Sequence, residues 1–174
     1  MNTNQLKEAV RQDKSAKQQF RGVFPSDILP KEVAVYPSAY IANVDPSSKA
    51  GSHWVAFYFT KDKKGEFFDS YGQSPELYTD IFKDFLQDNS QEWTFNRREL
   101  QSMNSRVCGQ YCVFYVILRC RGNSMEAVVR RFSNKKQLND GFVDEFVNKY
   151  FPFSLAEDSR VIRPKQISIP QKRV

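Results

Sequence analysis

Residues 101–122, QSMNSRVCGQYCVFYVILRCRG, carry the reading on which the fold turns. From Cys108 the pattern predicts a helix over 108–121, stopped by Gly122, and this is the strongest helix signal in the chain. Cys108 falls in its first turn, where unpaired backbone N–H groups and the helix dipole favour a thiolate. Gly109 leaves space beside the sulfur. Cys112 and Cys120 lie deeper in the same helix, among Val113, Phe114, Val116 and Ile117, where an apolar setting disfavours a thiolate and a core role is expected. Gln101 precedes Cys108 by a loop long enough to fold its amide back beside the sulfur. Alone it would be an ordinary polar surface residue.

Upstream, the most β-like run is HWVAFYFT, residues 53–60, which comes after the turn-rich segment 45–51 and a short strand over 39–44. Residues 61–65 can reverse the chain into Glu66-Phe67-Phe68-Asp69, forming an aromatic-rich hairpin. A helix over 75–87 is predicted, with Ser74 as its N-cap and Pro75 at its first position. Trp93 to Phe95 suggest another strand. The spacing of Leu6, Ala9 and Val10 predicts a helix within 4–20, followed by an irregular or extended arm punctuated by Pro25, Pro30 and Pro37. Downstream, helices are expected over 125–132, capped by Asn123 or Ser124, and over 142–150, capped by Asn139 or Asp140. These elements predict one domain of residues 1–156 and a basic extension over 157–174.

Composition agrees with a single domain: 174 residues, 40% hydrophobic and 26% charged, with 15 Phe, 8 Tyr and 2 Trp to fill one core. The N-terminus has no continuous apolar stretch to serve as a signal-peptide core. The apolar run Val113–Leu118 is far shorter than the roughly 20 residues that span a bilayer. A soluble protein without membrane contact is expected. Three cysteines crowded between 108 and 120 make a disulfide framework improbable and suit a reducing, intracellular setting. Of the net charge of +6, half comes from Arg160, Arg163, Lys165, Lys172 and Arg173 set against Glu157 and Asp158. Such a tail suits salt-dependent contact with DNA, although solvated surface charge is the plainer explanation.

The chain has one histidine, so any imidazole chemistry must use His53. A lone histidine on a strand is more often a hydrogen-bonded structural residue than a catalyst. Its place at the opening of a β-run, after Gly51 and Ser52, lets it face a cleft while its neighbours are buried. One histidine with three cysteines on one helix cannot readily supply a zinc site. Asp69 ends the strand that the hairpin returns beside His53, so it could orient the imidazole across the ladder. Without the histidine it would read as a carboxylate entering a turn.

The order of these groups is informative. His-Trp at 53–54, Phe-Asp-Ser-Tyr-Gly at 68–72 and Gln-Ser-Met-Asn-Ser-Arg-Val-Cys-Gly at 101–109 together resemble the adenovirus maturation protease (adenain) family, which includes proteases of Polinton/Maverick elements and related viruses. The resemblance covers about residues 20–120. SUMO- and NEDD8-specific proteases share the order His-Asp-Gln-Cys as distant relatives. The resemblance implies an adenain-like α+β fold, a small mixed sheet packed against helices with the nucleophile at the N-terminus of a central helix.

It further implies a thiol endopeptidase in which Cys108 attacks, His53 is the base, Asp69 orients it and Gln101 helps hold the oxyanion. Trp54, Gly51 and Ser52 would contact substrate, Trp54 walling a narrow channel for small residues; a core tryptophan is the alternative. Expected substrates are capsid or core precursors cut at glycine-containing sites during particle maturation, in the host nucleus or virion, by a monomer that needs no cofactor for its chemistry. Two departures stand out. Asp69 replaces the family's glutamate, a shorter carboxylate with the same charge. No cysteine stands near Ser90, where the family's activating peptide is disulfide-linked, so activation by DNA or by a noncovalent peptide is left open. Competing readings are a deconjugating enzyme for a ubiquitin-like modifier and a noncatalytic DNA-binding or capsid protein.

Overall fold

A computed structural model describes residues 1–152 of the chain. The expected domain end at 156, and the basic extension with Arg160, Arg163, Lys165, Lys172 and Arg173, lie outside the described residues. In chain order the elements are helices α1 (Thr3–Gln12) and α2 (Lys14–Gln19), strands β1 (Phe20–Pro25), β2 (Ser38–Asn43), β3 (Trp54–Phe59) and β4 (Lys64–Phe68), helix α3 (Asp80–Asn89), strand β5 (Glu92–Phe95), and helices α4 (Cys108–Cys120), α5 (Met125–Val129) and α6 (Lys136–Tyr150). The five strands form one mixed sheet in the order β1-β2-β3-β4-β5. β2, β3 and β4 are antiparallel neighbours, and each edge strand adds in parallel. The fold is α+β.

Both faces of the sheet are covered, which explains why β3 is apolar without alternation. Ala56 and Tyr58 face a core with Phe68, Tyr111, Tyr115 and Ile117 of the α4 side. Val55, Phe57 and Phe59 face the other way, onto Phe82, Phe85 and Leu86 of α3. Phe57 meets Phe67, Phe82 and Phe85 edge-on at 5.2, 5.2 and 5.4 Å. Each such ring contributes about 1.5–3 kcal/mol by leaving water. Every residue of α4 is buried, as expected of a helix that is apolar nearly all round. Its one cation, Arg119, is neutralised by Glu66 at 2.6 and 2.9 Å.

Several expectations need correction. The helix predicted within 4–20 is two helices, because Asp13 takes an extended conformation and its carboxylate caps Ser15 and Ala16. Part of the presumed irregular arm is β1, whose Gly22 and Pro25 obscure the strand pattern; Pro25 is tolerated because β1 is an edge strand. Ser74 makes no capping bond: Pro75–Leu77 is one 3-10 turn, and α3 starts only after Thr79, which caps Ile81. α5 ends at Val129 rather than 132. α6 begins at Lys136, so Asn139 and Asp140 sit inside it instead of capping it, and their side chains serve neighbouring segments.

Candidate active site

The sheet and α4 bring together residues far apart in sequence. His53 directly precedes β3 and its carbonyl accepts from Val44 N, which ties the residue to the end of β2. Asp69 directly follows β4. Since Ala56 faces Phe68 in the antiparallel register, Asp69 comes opposite Val55, and it reaches His53 diagonally rather than straight across the ladder. The Asp69 Oδ1 to His53 Nε2 distance is 2.6 Å. This leaves Nδ1 for Cys108, the first residue of α4.

Asp69 is wholly buried yet fully engaged. Oδ1 also accepts from Tyr71 N at 3.2 Å, and Oδ2 accepts from Gln73 N and Tyr78 Oη, both at 2.9 Å. The two backbone donors belong to the turn after β4, and that turn requires Gly72. There φ is +69°, and a Cβ would approach the Arg98 carbonyl carbon to 2.7 Å. Asn96, just past β5, fixes Asp69 from behind, its Oδ1 accepting from Asp69 N at 2.8 Å and its Nδ2 donating to Asp69 O at 2.6 Å. Tyr78 stands in the break between the 3-10 turn and α3. The rings of Tyr71 and Tyr78 lie 4.9 and 5.7 Å from the imidazole, apolar faces that suit an imidazolium.

Electrostatics follow from this arrangement. Burial lowers the affinity of His53 for its proton, but hydrogen bonds and charges from Asp69 and Cys108 outweigh it and push its pKa up to about 9. Burial raises the Cys108 thiol, but the hydrogen bond and charge of His53 and the Trp54 backbone N–H bring it below its ordinary value. Each group thus favours the charged form of the other, which biases the couple toward imidazolium and thiolate. Burial pushes Cys120 up to about 12 and Cys112 well above its ordinary value, so among the three thiols only Cys108 is activated. Tyr78 is also raised, by burial and then by Asp69, and keeps the proton it donates.

Gln101 is buried beside this pair. Its Oε1 accepts from Ser70 Oγ at 2.6 Å, and its Nε2 donates to Ser105 O at 3.1 Å, which leaves the second Nε2 hydrogen available. Gln101, Cys108, His53 and Trp54 share a cleft of about 700 Å³ with Gly51 and Ser52. Gly51 has φ +88°, and a Cβ there would come within 2.7 Å of the Asn43 amide. Trp54 is half-buried, lines the cleft, packs its inner side against the α4-side core and donates through Nε1 to Met1 O at 3.1 Å. The space expected beside Gly109 is filled: a Cβ would lie 3.2 Å from Leu6 and Met1 and 3.5 Å from Trp54. The glycine lets α1 pack on α4, and residues 1–3 thereby join the cleft wall.

Ser70, Tyr71, Tyr78 and Asn96 carry no individual signal in the sequence; Ser70 and Tyr71 lie within the quoted 68–72 segment, but only as a turn. Among the described residues no group of three or more His, Cys, Asp or Glu is placed to hold a metal ion. Nor is any described helix long and apolar enough to cross a membrane.

No protein-family model matches the sequence, and no curated protein matches it. Among solved structures, the Se-Met ASFV pS273R protease is similar with a TM-score of 0.39 and 21% identity, covering 60% of this chain and 43% of that one. The chain thus spans less than half of that protease's length. The central domain of the uncharacterized Lpg1148 protein from Legionella pneumophila gives a TM-score of 0.49 and 15% identity, covering 86% of this chain and 97% of that one.

Proposed function

We propose that this chain is a cysteine endopeptidase. The observation that carries the reading is the buried relay in which Asp69 holds His53 at 2.6 Å and His53 in turn depresses the Cys108 thiol, at the mouth of a cleft. The thiolate attacks the scissile carbonyl and forms a tetrahedral intermediate. Its oxyanion is met by the free Nε2 hydrogen of Gln101 and the backbone N–H of Cys108, which faces out of the first turn of α4. His53 gives its Nδ1 proton to the leaving amine as the C–N bond breaks. In the resulting acyl-enzyme His53 is neutral, and it takes a proton from water as the water attacks the thioester; the product acid leaves and the thiolate returns. Asp69 keeps the imidazole in one orientation throughout.

The preference for glycine at the cut, and capsid or core precursors as substrates during particle maturation, rest on the resemblance of segments 53–54, 68–72 and 101–109 to adenain-type proteases. Activation by DNA or a noncovalent peptide belongs to the same reading. Incubation with a Gly-Gly peptide vinyl sulfone tests the chemistry. One adduct mapped to Cys108, absent when His53 is replaced by alanine, is the expected result. An adduct distributed over all three cysteines only after unfolding would refute it.

A further inference from the structure

We propose that Asp140 of α6 is a positioning residue for Gln101, acting through the segment that carries it; this rests on the oxyanion role of Gln101 given above. The residues on both sides of Gln101 are pinned from outside the cleft. Leu100 O accepts from Asn139 Nδ2 at 3.1 Å, and the one Tyr111 hydroxyl proton is shared between Leu100 O at 3.0 Å and the Asp140 carboxylate. Ser102 N lies 3.4 and 3.3 Å from the two Asp140 carboxylate oxygens, and Ser102 Oγ donates to the same carboxylate. Tyr111 Oη lies 2.9 Å from Asp140 Oδ1. One carboxylate thus joins α6, α4 and the Gln101 segment.

The need for such an anchor lies in the exposed stretch between Ser102 and α4. Met103, Asn104 and Arg106 are exposed, and Met103 retains 83% of its accessible surface. Beyond Ser102, the backbone is tied by Ser105 N to Ser102 O at 3.1 Å and by the Gln101 amide to Ser105 O. Both bonds are internal to the segment, so they cannot set its place relative to Cys108. Ser70 holds the Gln101 backbone and side-chain oxygen from one side, at 3.0 and 2.6 Å. Asp140 supplies the opposing hold, and charge-assisted bonds to an N–H and a hydroxyl are stronger than neutral ones. Asp140 does not line the cleft, so it touches neither substrate nor reacting atoms.

The test uses the full chain as wild type, Asp140→Ala, Gln101→Ala and the double variant. Three quantities are read: kcat on a fluorogenic Gly-Gly peptide, the rate of Cys108 alkylation by iodoacetamide, and the side-chain amide NMR signals of Gln101. A displacement on the order of 1 Å at a reacting centre can cost about 100-fold. Asp140→Ala should therefore lower kcat by about 10- to 100-fold, leave alkylation within about 2-fold, and shift or broaden the Gln101 amide signals. Added to Gln101→Ala, it should cost less than about 3-fold more, because its effect passes through an amide already removed. Asp140→Asn, which keeps an acceptor for Ser102, should restore part of kcat. Ser102→Ala replaces Asp140→Ala if that variant does not fold. Full additivity, an equal loss of alkylation, or unchanged Gln101 amide signals would overturn the proposal. Failure of the oxyanion role itself has a separate signature: Gln101→Ala alone would leave kcat intact.

Discussion

Replacing Asp69 by asparagine keeps the shape of the side chain and removes its charge, which makes it the sharpest probe of the relay. The rise of His53 from 6.5 to about 9 corresponds to about 3 kcal/mol of preference for imidazolium, gained against the opposing effect of burial. Asp69 supplies a hydrogen bond and a charge toward that preference, and Cys108 supplies the remainder. Without the carboxylate the imidazolium loses its main support, and the thiolate that depends on it becomes harder to form. The sign is definite. In the wild type, thiolate is present above the depressed Cys108 value and alkylation is lost as pH falls through it. In Asp69→Asn that limb moves toward the ordinary thiol range near 8.5. Alkylation by iodoacetamide near pH 6.5 should fall by about 10- to 100-fold, each factor of ten being about 1.4 kcal/mol of thiolate stabilisation lost. Near pH 10, where a thiolate forms without help, the two proteins should react alike. The variant also sets an amide N–H among donors that Asp69 accepts, costing about 1–3 kcal/mol of stability, which thermal melting would read. A limb that does not move, or a loss of the same size at both pH values, would refute the electrostatic role and leave Asp69 as a structural acceptor.

Other outcomes are expected from the same geometry. Cys108→Ala should abolish peptide cleavage while the melting temperature stays within a few degrees, whereas Cys112→Ala, deep in α4, should remain active; full activity of Cys108→Ala would end the peptidase reading. Gly72→Ala puts a Cβ at φ +69° and 2.7 Å from the Arg98 carbonyl carbon, so it should cost at least about 1–2 kcal/mol and lower cleavage by loosening the turn that feeds Asp69. Equal stability and activity would contradict the turn's role. For the basic extension, truncation after Asp158 should weaken DNA binding and flatten its salt dependence, since each lost phosphate contact lowers the slope. An unchanged salt slope would remove the extension from DNA binding.

Elements built on strong local patterns are legible in the amino-acid sequence. α4 is marked by its apolar run and Gly122, and β3 and β4 by aromatic content around a turn, because local periodicity and breakers act within a few residues. Cys108, His53, Asp69 and Gln101 can be named from the order of short segments; three of them line one cleft, and Asp69 stands behind His53. The sequence by itself thus determined the α+β class, which thiol stands at a helix N-terminus, and that only one imidazole can serve it. Tertiary structure decided the rest. β1 is a strand only because β2 offers it an edge, and Asn139 and Asp140 lie within α6 because their side chains find partners at Leu100 and Ser102. Tyr78, Asn96 and Ser70 join the site through hydrogen bonds spanning 9, 27 and 31 residues. Such bonds depend on how sheet and helices are stacked, and no periodicity along the chain encodes them; the diagonal reach of Asp69 to His53 likewise arises from a strand register that only the packed sheet defines.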